Sequence, residues 1–250
     1  MNIILIIQAR MSSTRLPGKI LKKIQDINVL QHCINRCSRS KFLTDIIIAT
    51  TTNNADNKIV EYCKQQNIKY YRGSEHNVLE RFYKTATLYN ADIIVRLTSD
   101  CPLIDVNVID NMIEYFNKHK LDFLQPKYYK GDNQKIMGGF PDGCNPQIFS
   151  FDLLKTTFIN VIDNFDCEHV CPYMVRNYTI KTYEIPNINI YKNIDFSSLH
   201  LSVDTPGDFE FVSNIFGILY KVNPNFTIYD VLYIINNKHI CSNYLLQPSQ

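Results

Sequence analysis

The densest chemistry in the chain lies in IIQARMSSTRLPGKIL, Ile6 to Leu21. An aliphatic run breaks there into Arg10, Ser12, Ser13, Thr14, Arg15, Gly18 and Lys19. Cations, hydroxyls and the free N–H groups of a loop with a Pro17-Gly18 turn are the parts of a phosphate cradle. Neither GxxxxGK[ST] nor GxGxxG is present, so this is not a Walker loop or a dinucleotide fingerprint. Two further positions could add a metal. Thr98-Ser99-Asp100-Cys101-Pro102 follows the apolar run ADIIVRL, and Asp204 follows the extended stretch at LSVD. Mg²⁺ is a hard ion that takes one or two protein carboxylates together with substrate phosphates. Two lone aspartates at strand ends plus a basic loop therefore suit a metal-bridged nucleoside triphosphate. Thr205 with Asp208 three residues on reads as a capping box, which leaves Asp204 for other work.

Other chemistry is weaker. Cys33 and Cys37, and Cys167 and Cys171, are each four apart on predicted helices, but no CxxC knuckle accompanies them. The eight cysteines are expected as buried free thiols, packing as small hydrophobes. A formal net charge of +2 gives no whole-protein pull on nucleic acid or membrane. No apolar run approaches the ~20 residues that span a bilayer. The opening MNIILIIQAR lacks a charged n-region and a cleavage site, so a cytoplasmic, reduced protein is expected.

The elements that must position these residues alternate. Strands are predicted at Ile3–Ile7, Asp45–Thr51, Ile68–Tyr71, Ala91–Leu97 and Leu121–Leu124. Helices are predicted at Val29–Cys37, Asp56–Gln66, Val78–Tyr89 and Val108–His119. Such alternation means parallel strands joined by right-handed crossovers, with the near-continuous apolar runs of strands covered on both faces. From Gln125 to Phe149 the sequence turns polar and glycine-rich, which reads as a loop or hairpin excursion. Helices return at Phe151–Phe158, Glu168–Asn177, Asp208–Tyr220 and Ile228–Asn236, with extended segments at Thr179–Ile185 and His200–Val203. The expectation is one α/β domain over residues 1–250 with a mostly parallel sheet, helices on both faces and a hairpin excursion. Ligands of such sheets sit at the carboxyl ends of the strands.

Six stretches in order carry a resemblance: IIQARMSSTRLPGKIL, YRGSEHNVLERFYK, VRLTSDCPLID, FPDG followed by FS, EHVCPYM and LSVDTPGDFEFV. Together, from Asn2 to about Val212, they resemble the cytidylyltransferases of surface-polysaccharide synthesis. The branch is that of the spore-coat polysaccharide biosynthesis protein, with CMP-Kdo synthetase and acylneuraminate cytidylyltransferase as more distant relatives. The resemblance implies a Rossmann-like nucleotidyltransferase that attacks the α-phosphate of CTP with an acceptor and releases pyrophosphate. It implies Mg²⁺, with Mn²⁺ as the alternative, and a homodimer. Residues 1–124 would be mainly nucleotide-binding, 125–200 would serve acceptor and dimer, and 201–250 would bring the second aspartate and the last helices.

Carried over residue by residue, the resemblance puts Arg15, Lys19, Asp100 and Asp204 in catalysis, with the two aspartates on the metal. The nucleotide would meet Gln8, Ala9, Arg10, Ser12, Ser13, Thr14, Arg15, Lys19, Arg72, Thr98 and Ser99. Asp142, Asn145, Glu168, His169 and Arg176 fall to the acceptor. An acidic stretch is expected after PDG, where this chain has Cys144-Asn145-Pro146-Gln147. That loss of acid, beside Lys127, Lys130, Lys135, His169 and Arg176, predicts a small anionic acceptor. Two other readings compete. A nucleotide-sugar glycosyltransferase would hold its metal with Asp-x-Asp, yet Cys101 and Pro102 follow Asp100. A non-catalytic nucleotide-binding protein would be expected to lose the basic loop or the aspartates, and all are present.

Overall fold

The computed structural model describes residues 1–126, 128–130, 136–138, 141–178, 181–183 and 199–238. The chain opens with β1 (Ile3–Gln8), then a single 3-10 turn at Lys19–Leu21 and a short ribbon of β2 (Lys23–Ile24) and β3 (Ile27–Asn28). Next come α1 (Val29–Cys37), β4 (Asp45–Thr51), α2 (Asn57–Gln65), β5 (Lys69–Gly73), α3 (Val78–Leu88), β6 (Ile93–Thr98) and α4 (Val106–Lys118). The excursion holds β7 (Phe123–Pro126), β8 (Tyr128–Lys130), β9 (Ile136–Gly138) and β10 (Gln147–Ser150). The chain continues through α5 (Phe151–Asn160), α6 (Asn164–His169), α7 (Pro172–Asn177), β11 (Lys181–Tyr183), α8 (Pro206–Leu219) and α9 (Ile228–Lys238).

Seven strands form one sheet in the order β11-β7-β10-β6-β1-β4-β5. As expected, β1, β4, β5 and β6 run parallel. The departure is β10, which lies antiparallel between β6 and β7. The chain reaches it through the excursion rather than through a crossover helix, and only a crossover imposes parallel pairing. Alternation along β1 explains why the sheet is covered on both sides. Ile3, Leu5 and Ile7 pack in a core with α1, α4, α8 and α9, while Ile4 and Ile6 pack in a second core with α3, α5 and α7.

Two further differences bear on the site. The predicted helix over 168–177 is two helices, broken where Val170 adopts φ 70° just before Pro172 starts α7. The 200–203 stretch is not a strand; its sheet-like link is one parallel bridge between His200 and Asp142. The side chains of Lys127, Lys130, Lys135, Tyr128, Tyr129, Ile136, Met137 and Phe140 lie outside the described residues. Among the described cysteines none is paired; Cys33, Cys37, Cys63, Cys101, Cys144 and Cys171 are buried and Cys167 is half-buried. Burial raises the Cys37 thiol to about 12, so it is inert as a nucleophile.

Candidate active site

The basic loop is shaped by its neighbours. Ala9 N–H donates to Ala49 O at 3.1 Å, carrying the chain off the end of β1 beside β4. Met11 N–H donates to the buried Asp56 carboxylate at 2.7 Å, and the Thr51 hydroxyl donates to its other oxygen. Glu75 accepts from Ser12 Oγ at 2.7 Å and from Asn53, and lies 3.8 Å from the Arg10 guanidinium. Those hydrogen bonds, with Ser12 foremost, hold the Glu75 carboxyl below its usual range. Gly18 closes the loop at φ 69°, a left-handed backbone that favours glycine, with its N–H on Met11 O.

That turn buries Lys19. Its Nζ lies 2.5 Å from Asp100 Oδ2 and 2.8 Å from Asp204 Oδ1. Burial alone would lower its pKa, but the two carboxylates outweigh it and raise the ammonium above the ordinary lysine range. Asp100 stands just beyond β6, and Val203 N–H donates to its carbonyl at 2.8 Å, which brings the 199–204 segment alongside. Asp204 also meets Arg15 Nη2 at 2.9 Å and His200 Nε2 at 3.1 Å. Hydrogen bonds from His200 and Lys19 hold the Asp204 carboxyl far below its usual range. Thr205 and Asp208 form the predicted capping box on α8, so Asp204 does not serve as the cap.

His200 ties the 200–204 segment to the excursion. Its Nδ1 lies 2.6 Å from Asp142 Oδ2, and Ser202 Oγ is 3.0 Å from its Nε2. The hydrogen bonds to Asp142 and then Asp204 raise the imidazole to about 10, so it is charged at neutral pH. Gly143 permits the close approach: it sits at φ +89°, and an added Cβ would lie 2.5 Å from Ser202 N and 2.6 Å from Leu201 C.

Two adjoining cavities result. The first, about 300 Å³, is lined by Gln8, Ala9, Arg10, Ser12, Ser13, Thr14, Arg15 and Lys19 from the loop, by Thr98, Ser99, Asp100 and Asp204, and by Glu168 and His169 from α6. The second, about 320 Å³, is lined by Asp142, Asn145, Gln147 and Ser202 and shares Arg96, Thr98, Asp100 and Asp204 with the first. Two expected residues are elsewhere. Arg72 spends its guanidinium on Thr51 O, Asn53 O and Asn57 Oδ1 at 2.8–2.9 Å, bracing the turn after β4. Arg176 pairs with Asp166 at 2.5 Å, fastening α7 to α6. Neither lines either of these two cavities. Glu168 and His169, expected on the acceptor side, line the cavity that holds the basic loop.

Several residues in place here were not foreseen. His200 lies four residues before Asp204, and that spacing was its only signal. Arg96 is the one cation in the run ADIIVRL, four residues after Asp92. Arg81 sits on the buried face of α3, and burial lowers its guanidinium to about 10. No group of three or more His, Cys, Asp or Glu side chains poised to hold a metal occurs among the described residues. Asp100 and Asp204 nevertheless converge on one cationic atom, and two hard oxygen donors suit an ion that completes its shell with water and phosphate. No helix among the described residues is long and apolar enough to cross a membrane.

A family model described as cytidylyltransferase matches residues 4–215. The chain belongs to the cytidylyltransferase family. It is a CTP-dependent nucleotidyltransferase, and the glycosyltransferase and binding-only readings fall away. It is similar to the spore coat polysaccharide biosynthesis protein SpsF of Bacillus subtilis, 29% identical over 220 residues, 86% of each chain. An uncharacterized protein of Methanocaldococcus jannaschii is 36% identical over 210 residues, 84% of this chain and 81% of that one. Among solved structures, a cytidylyltransferase from Leptospira borgpetersenii superposes with a TM-score of 0.83 at 30% identity, covering 100% of this chain and 99% of its own. A CMP-Kdo synthetase complexed with CTP shares the fold at a TM-score of 0.63 and 18% identity, over 87% of this cytidylyltransferase and 99% of its own chain.

Proposed function

We propose that this cytidylyltransferase moves CMP from CTP to a small anionic acceptor, an acidic sugar, sugar phosphate, polyol phosphate or related small acid, in the synthesis of a surface polysaccharide. One observation carries the reading. Asp100 and Asp204 converge on Lys19 where two cavities meet, one lined by the basic loop and the other by the polar side chains of Arg96, Asp142, Asn145, Gln147 and Ser202. A triphosphate in the first cavity would put its α-phosphate at that junction, facing an acceptor in the second. The polysaccharide setting is supported by the similarity to the spore coat polysaccharide biosynthesis protein of Bacillus subtilis.

The chain's own work is electrostatic. Arg10, Arg15 and the loop N–H groups would bind the β- and γ-phosphates, and Lys19 would stabilise charge on the leaving pyrophosphate. Asp100 and Asp204 would hold Mg²⁺, or Mn²⁺, which when bound supplies positive charge to the phosphate oxygens. His200 would keep Asp204 oriented and ionised. The reading includes a homodimer, which sedimentation at micromolar concentration would test.

The deciding assay is CTP-dependent pyrophosphate release with paired acceptors, each phosphorylated or carboxylated compound beside its neutral analogue. Release with the anionic member alone is expected. Equal rates for both members would overturn the anionic acceptor. Failure to bind CTP at all would overturn the whole reading.

A further inference from the structure

The second cavity contains three carboxylates, Asp100, Asp142 and Asp204, and a single cationic side chain, Arg96. The carboxylates are taken: Asp100 by Lys19, Asp142 by His200, and Asp204 by Lys19, Arg15 and His200. Arg96 has no such partner among the described residues. Its Nη1 donates to Gln147 Oε1 at 2.5 Å and its Nη2 to Gln8 Oε1 at 3.1 Å, and Nε is buried with no acceptor among the described residues. A guanidinium has five N–H donors in a rigid fork and is rarely left in a protein wall without an anion. Here two neutral amide oxygens aim the fork, the Phe82 ring centroid lies 5.9 Å from its central carbon, and no carboxylate among the described residues pairs with it.

The register explains the placement. Arg96 lies on β6 directly opposite Gln147 of the antiparallel β10, so the strand at the end of the excursion is what builds this wall. We propose that Arg96 receives the carboxylate or phosphate of the acceptor and sets the preference for charged over neutral acceptors. The proposal rests on the cytidylyl-transfer reading above. An anion seated on Arg96 leaves the remainder of a polyhydroxylated acceptor beside Asn145, Ser202 and Asp142, which suit hydroxyl groups. Repulsion from the three carboxylates is muted because each already has a basic partner. Arg96 also borders the first cavity, so the competing role is contact with the phosphates of CTP.

The test is calorimetric titration of inorganic phosphate into protein saturated with Mg²⁺ and α,β-methylene-CTP, which occupies the first cavity without reacting. One phosphate per chain is expected. Arg96→Gln should weaken it on the order of 10- to 100-fold, the value of a hydrogen bond to a charged group. Arg96→Lys should keep part of the affinity, since a point charge replaces the fork. Gln147→Glu guards against misfolding: it leaves Arg96 in place, gives it a carboxylate partner and should weaken phosphate to a similar degree. Unchanged phosphate affinity in Arg96→Gln and Gln147→Glu would overturn the proposal. So would a loss confined to the nucleotide analogue. If the wild-type protein does not bind the analogue, the cytidylyl-transfer reading fails instead. Phosphate titration without nucleotide then still compares wild type with both variants, and equal affinities would overturn Arg96 as an anion site.

Discussion

Lys19→Met removes the ammonium while keeping most of the side chain's length and apolar stem. Its Nζ lies 2.5 Å from Asp100 and 2.8 Å from Asp204, and only a tenth of the side chain is exposed. Without it, two carboxylates face each other at about 5 Å, where like charges cost about 3 kcal/mol at an effective dielectric constant near 20. Arg15 and His200 remain on Asp204 and offset part of that, so a loss of ~2–3 kcal/mol is expected, below the range for a fully buried broken pair. For a chain of this size that is roughly 4–12 °C in the midpoint of thermal unfolding. The measurement is circular dichroism on nucleotide-free protein, first in chelator and then with Mg²⁺. Mg²⁺ should return part of the loss in Lys19→Met and do little for the wild type, whose ammonium already sits between the carboxylates. A wild-type midpoint in chelator, or the same Mg²⁺ response in both proteins, would refute the argument that Lys19 holds a divalent-cation position.

Asp204→Asn keeps the size of the side chain and removes its charge; CTP turnover should fall about 10²–10³-fold, the cost of one preorganised electrostatic group. Full turnover at low Mg²⁺ would exclude the residue from catalysis. Stability without metal should depend on pH through His200, whose pKa rises from 6.5 to about 10 in the fold. Its contribution is therefore complete below pH 6.5 and lost as pH rises through about 10, a slope that His200→Gln should flatten in denaturant melts. Gly143→Ala would force a Cβ to within 2.6 Å of the backbone at Leu201 and Ser202 at a positive φ; a loss of ~1–3 kcal/mol is expected, and wild-type stability would show that the two segments can part freely.

The first half of the chain was legible because its signals are local. Val29–Cys37 and Asp45–Thr51 form over the predicted spans, since a 3.6-residue apolar period and an uninterrupted β-branched run each admit one answer. The basic loop, Asp100 and Asp204 come together as expected because each follows an apolar run toward one end of the sheet. Orientation after the excursion was not legible, because no periodicity records whether a returning strand is parallel. The helix break at Val170 was hidden under a continuing apolar rhythm, with Pro172 as its only mark. Arg72 and Arg176 were assigned by proximity to motifs, and a guanidinium serves equally well as a brace for backbone carbonyls or a partner for a buried carboxylate. His200 was missed because its partners are Asp142 and Asp204, which only tertiary contact brings to one place.

The reach of Asp204 also sets an order of events during synthesis. The basic loop, Lys19 and Asp100 leave the ribosome well before the segment that carries His200 and Asp204, and domains fold as the chain emerges. Until that segment arrives, Lys19 has Asp100 as its one carboxylate partner and Arg15 lacks its ion pair. The core that takes Ile3, Leu5 and Ile7 also takes Phe211 and Val212 from α8 and Val231 and Leu232 from α9, so one face of the sheet is covered only when the last helices have been made.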